Sequence, residues 1–102
     1  MEDGKIFENL IKVANEKGLT VAFVPFEAYM GRLQGNKIGL KAGMNIKEIN
    51  STLAHELGHS FLHFDKGDTI NDIKHEEFEE EADRAAKMLL FSIEVLENQN
   101  TI

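Results

Sequence analysis

The sequence predicts a small α+β domain. Three observations carry that expectation: apolar residues at helical spacing near the N-terminus, a β-branched and aromatic run followed by a two-residue turn signal, and two long helix-period segments after it. The expected architecture is an N-terminal helix, a three-stranded mostly antiparallel sheet, and a capped helix packed antiparallel to a C-terminal helix. At 102 residues with no internal repeat or low-complexity linker, residues 1–102 are expected to form a single domain.

Each element has its own warrant. From Lys5 to about Lys17 the residues Ile6, Phe7, Leu10, Ile11, Val13 and Ala14 recur at three- and four-residue spacings, and Gly18 follows as a stop. Leu19 to Val24 has strand composition and is closed by Pro25. Tyr29–Gln34 and Lys37–Lys41 flank Gly35-Asn36, which reads as a hairpin. With Asn45 as N-cap, Glu48 falls at the capping-box position, and Met44 and Ile49 form a hydrophobic staple, so a helix is expected over about 46–65. Asp65-Lys66-Gly67-Asp68 should end it, and a last helix should run from about Asp72 to Glu97.

Composition excludes several classes of function. Cysteine is absent, which removes disulfides, thiolate metal sites and thiol catalysis and leaves His and carboxylates as the metal ligands. Lys+Arg number 11 against 18 Asp+Glu, with net charge -7, and the basic residues are scattered, which argues against a nucleic-acid partner. No leader-like N-terminus or membrane-length apolar run is present, so a cytoplasmic protein without a membrane partner is expected.

Inside the capped helix stands His55-Glu56-Leu57-Gly58-His59, an H-E-x-x-H motif. At 100° per residue, residues four apart differ by only about 40°, so both imidazoles reach one tetrahedral ion. Glu56 points to the adjoining side, placed to touch a metal-bound water without ligating the metal. The stripe Ile46, Ile49, Leu53, Leu57, Phe61 and Phe64 should face the core on the opposite side. Four His and thirteen Glu at random would give this motif about 0.02 times per chain.

Catalytic zinc takes three protein ligands and keeps one position open, so a third ligand is needed. Asp65 is disfavoured, because Leu62 stands where a chain-reversing glycine would be required. His63 lies on the same straight helix and suits a rim position. The last helix has the apolar stripe Phe78, Ala82, Ala85, Leu89, Ile93 and Leu96. Glu76, Glu77 and Glu80 point to solvent, while Glu79 and Asp83 lie on one shoulder of that stripe and Glu81 on the other. Measured from the turn, Glu79 comes level with His59 at a depth of about 10 Å, and Asp83 comes level with His55. That suits Glu79 as the ligand and Asp83 as the acceptor of a hydrogen bond from His55.

Thr52-Leu53-Ala54-His55-Glu56-Leu57-Gly58-His59, followed by Glu79-x-Glu81-Ala82-Asp83-x-x-Ala86-x-x-Leu89-Leu90, resembles the ImmA/IrrE family of zinc metallopeptidases. Gly35-Asn36-Lys37-Ile38-Gly39-Leu40 is similar to the strand that precedes the motif helix there. The resemblance implies a zincin-like fold, Zn2+ as cofactor, and a gluzincin pattern in which Glu79 is the third ligand and Asp83 the supporting carboxylate. It also implies a protein or peptide substrate, often a helix-turn-helix repressor of a phage or mobile element. Ala85 and Phe91-Ser92 depart from the family pattern, so the last helix is expected to end differently.

On this reading zinc held by His55, His59 and Glu79 lowers the pKa of bound water from its bulk value toward roughly 7, and Glu56 acts as general base. Tyr29 and His63 are the candidate oxyanion donors. The alternative is a non-catalytic, metal-stabilised binding module, which would have no need of Glu56 beside the first histidine. A third reading, a decayed site, would bind no metal.

Overall fold

The computed structural model describes residues 2–62 and 75–100. Its order is α1 (Asp3–Glu16), β1 (Thr20–Val24), β2 (Gly31–Gln34), β3 (Lys37–Lys41), α2 (Ile46–Leu62) and α3 (His75–Asn100). The expected end of α2 near residue 65, the Asp65–Asp68 turn and a helix start at Asp72 lie outside the described residues.

Local chemistry sets the element ends. The N–H of Leu19 donates to the Ala14 carbonyl at 2.9 Å and that of Gly18 to the Asn15 carbonyl at 3.0 Å, a Schellman closure with Gly18 at φ 74°. Leu19 and Ala14 are both buried, supplying the apolar contact that accompanies this closure. Gly35 takes φ 60° while Asn36 keeps a negative φ, the sign pattern of a type II′ hairpin turn with glycine first. At the start of α2, the Glu48 N–H donates to Asn45 Oδ1 at 2.9 Å and the Asn45 N–H donates to Glu48 Oε1 at 3.1 Å, a reciprocal capping box.

The sheet order is β1-β3-β2. Strands β2 and β3 pair antiparallel with Leu33 opposite Ile38, whereas β1 runs parallel to β3 with Val21 opposite Ile38. The sheet is therefore mixed, one pair of each kind, rather than mostly antiparallel. Residues 25–30 make this possible by carrying the chain past β3 to its far side. There Phe26 packs on Gly39, where a Cβ would come within 2.8 Å of the Phe26 ring. Leaving Gly39 bare gives the crossing segment a flat surface on one side of β3. Ile38 and Leu40 alternate with it and are buried in the core cluster on the other.

Helices α1 and α3 both pack against α2. The core joins Ile6, Leu10 and Ala14 of α1 to Leu53 and Leu57 of α2 and Ile93 of α3, among others. Each fully buried leucine contributes about 1.5–3 kcal/mol of transfer free energy. The buried part of α2 is wider than the apolar stripe implies, because Asn50, Thr52, Glu56 and Ser60 are buried with the leucines. Conversely Ile46 and Phe61, expected in the core, are 38% and 48% exposed. Phe61 instead carries the Lys17 ammonium 4.1 Å above its ring, and Phe64 lies outside the described residues. Among the described residues no helix is long and apolar enough to cross a membrane.

Candidate metal centre

The two helices meet at Gly58. A Cβ there would stand 2.7 Å from the Ala82 carbonyl oxygen and 3.2 Å from the Ala82 Cα, so α2 and α3 approach backbone to backbone. This crossing puts the residues next to Gly58 and Ala82 in register. Glu79 Oε1 lies 2.9 Å from His59 Nε2, and Glu79 Oε2 lies 2.8 Å from His55 Nε2. The two Nε2 atoms are 3.1 Å apart, with the rings edge to face at 84°. On its other side His55 Nδ1 sits 2.7 Å from Asp83 Oδ1.

Among the described residues, His55, His59 and Glu79 form a group whose ligand atoms converge closely enough to hold a metal ion. Atoms bound to one tetrahedral zinc at about 2.0–2.1 Å lie about 3.3 Å from one another, close to the 2.8–3.1 Å spacing here. Donor chemistry points the same way. With Nδ1 of His55 donating to Asp83, its Nε2 presents a lone pair to Glu79, an acceptor facing an acceptor that only a shared cation relieves. In the metal-free chain a proton is the available cation. Burial pulls the His55 imidazole down, but the hydrogen bond with Asp83 and the charges of Glu79 and Glu56 outweigh it and raise it above its ordinary 6.5. The residues present therefore fit a divalent ion with imidazole and carboxylate ligands.

Glu56 sits apart from the three. It is 7% exposed, on the side of α2 that faces β2, where Gly31 leaves room for it: a Cβ at Gly31 would come 2.5 Å from Thr52 Cγ2 and 3.3 Å from Glu56 Cγ. Burial pushes the Glu56 carboxyl up to about 7. His55 and the hydrogen bond donated by the backbone N–H of Leu33 oppose that rise, and the Glu79 charge adds to it.

The remaining residues singled out from sequence fall elsewhere. Glu81 is not a member of the converging group, and His63 and Asp65 lie outside the described residues. Tyr29 packs edge-on to Phe26 at 5.9 Å, and the Arg32 guanidinium lies 5.3 Å from its ring centroid. Glu76, Glu77 and Glu80 are exposed. Gly31 and Gly58 shape the site through close approach, a role that their neighbours in sequence do not announce. The available signal was a glycine inside a strand and another inside a helix, each marking close approach.

Comparison with known proteins bears on this geometry. A family model described as the IrrE N-terminal-like domain, a peptidase family, matches residues 14–101. No curated protein and no solved structure matches the chain significantly.

Proposed function

The chain belongs to the IrrE N-terminal-like family, and on that premise we propose that it is a zinc-dependent endopeptidase in which His55, His59 and Glu79 hold the ion and Glu56 is the general base. The observation that supports this reading is the convergence of three donor atoms beside a buried carboxyl held near neutrality. When bound, the ion supplies Lewis acidity, making water acidic near neutral pH and polarising the scissile carbonyl. A carboxylate oxygen of Glu56 takes a proton from the attacking water as that water's oxygen bonds to the carbonyl carbon. The same proton then passes to the leaving amine as the C–N bond breaks. Burial that raises the Glu56 carboxyl makes its carboxylate a stronger base toward the water proton than an ordinary surface glutamate. Asp83 keeps the Nδ1 proton of His55 and so directs its Nε2 at the ion.

The substrate we propose is a protein or peptide, bound as an extended strand along the outer edge of β2. That strand lies at the end of the sheet and packs against α2 beside Glu56. A helix-turn-helix repressor of a phage or mobile element, processed in the cytoplasm, is the class that the family resemblance suggests.

Native mass spectrometry tests the first requirement. Incubation with zinc should add one ion per chain, and a chelator should remove it together with hydrolysis of a quenched-fluorescent peptide library. A chain that takes up no zinc would sink this reading. The Asp83→Asn variant should bind zinc about ten- to a hundredfold more weakly in competition with a chromophoric chelator, because the hydrogen bond that orients His55 and raises its basicity is weakened. Unchanged affinity would remove Asp83 from the site.

A further inference from the structure

Helix α3 is amphipathic toward its own core and then apolar again on its outer side. Ala82, Ala86 and Ile93 are buried, whereas Met88 is 71%, Phe91 67% and Val95 37% exposed. The exposed three recur at spacings of three and four, and at 100° per residue they fall within about 60° of one another, the a/d seam of a heptad pattern. A contiguous apolar stripe left on a surface marks contact with another molecule.

We propose that a second copy of this chain covers the stripe, with α3 packed antiparallel on α3 about a twofold axis near residues 90 and 91. Charge selects both the occupant and the direction. Lys87 and Glu94 stand immediately before Met88 and Val95, so they share the g flank of the seam. Flanks of the same kind face each other when two copies of a helix run antiparallel. Each Lys87 then meets Glu94 of the second copy, twice over, and a surface that is complementary to itself in this way is the signature of an isologous contact.

A parallel pair gains neither bridge, since it sets Lys87 against Ser92. It also brings Glu76, Glu77, Glu80 and Glu81 of both copies side by side. In the antiparallel pair, Glu80 of one copy is about 30 Å along the axis from Glu80 of the other, far beyond the screening length of about 8–10 Å. Glu79 lies on the far side of α3 from the seam, so the converging group of His55, His59 and Glu79 stays uncovered. The apolar part spans only about two turns, which places the contact below roughly 1,200 Å² of buried surface and makes the dimer weak and concentration-dependent.

Sedimentation equilibrium of the full chain at low salt, from about 5 to 500 μM, tests this. The expected result is a monomer–dimer equilibrium that Phe91→Glu shifts toward monomer, with Kd raised by about tenfold or more. Lys87→Glu and Glu94→Lys should each raise Kd by about threefold to tenfold, and the double swap Lys87→Glu/Glu94→Lys should return it to within about twofold of the original. All three positions are exposed, and a thermal melt by circular dichroism verifies that each variant folds. A chain that stays monomeric throughout the range overturns the proposal. So does a dimer indifferent to Phe91→Glu, or a double swap no better than the single ones.

Discussion

Glu56→Gln should keep the metal and lose hydrolysis, turnover falling by about two to four orders of magnitude, the range that general acid–base catalysis supplies. The position is unusually well suited to the test. Glutamine matches glutamate in shape, so it fits the space between Thr52 and Gly31, and its side-chain oxygen can still accept from the Leu33 N–H. It cannot take a proton from water. Because no charge enters the buried position, the variant should melt no lower than the parent chain. Zinc affinity should change little, since Glu56 is not one of the three converging residues. Turnover on the peptide library, zinc stoichiometry and a thermal melt are read on the same preparation. Full activity in a zinc-loaded Glu56→Gln chain would end the general-base assignment, and a binding module would show no turnover in either form.

What the sequence made legible was mostly local or one-dimensional. The capping box at Asn45 and Glu48 is written in two residues, and the Schellman closure at Gly18 follows from one glycine after an apolar periodic run. The antiparallel packing of α2 and α3 was legible too, because counting residues outward from the connection puts Glu79 and His59 at one depth.

Strand order is a different kind of information. Nothing in the patterns of β1 or β3 says that they pair parallel, because that depends on residues 25–30 crossing β3 with Phe26 over Gly39. The width of the buried surface on α2 was hidden for a related reason. Thr52, Glu56 and Ser60 stand outside the apolar stripe that marks the core face, yet β2 and α3 close over the flanks of the helix. Phe61 fails in the opposite sense: its apolar character places it in a core, but it stays half-exposed at the surface with the Lys17 ammonium over its ring.

Gly58→Val should separate the two helices and take the metal centre with them. In an ordinary exposed helix interior, replacing glycine by alanine gains up to about 1 kcal/mol, because glycine gives up the most backbone entropy on folding. At Gly58 the sign should reverse. The added Cβ meets backbone atoms of Ala82 at 2.7 and 3.2 Å and the Ala85 Cβ at 3.3 Å, and backbone cannot swing aside as a flexible side chain can. Alanine therefore forces a small displacement of α3, and valine, with two further methyl groups, forces a larger one. Overpacking of this kind costs about 1–3 kcal/mol, which for a chain of this size lowers the melting temperature by about 5–20 °C. The functional loss should exceed the loss of stability. Glu79 and Asp83 flank Ala82 on α3, so any shift there lengthens the 2.8–2.9 Å contacts to the histidines and should weaken zinc binding by about a hundredfold or more. Gly4→Ala in α1, where a Cβ would meet nothing within 4 Å, serves as the control and should leave zinc affinity unchanged while keeping or raising the melting temperature. Thermal melts and chelator competition on Gly58→Ala, Gly58→Val and Gly4→Ala decide the matter: parental zinc affinity in Gly58→Val would mean that the close crossing at Ala82 does not hold the carboxylates in place.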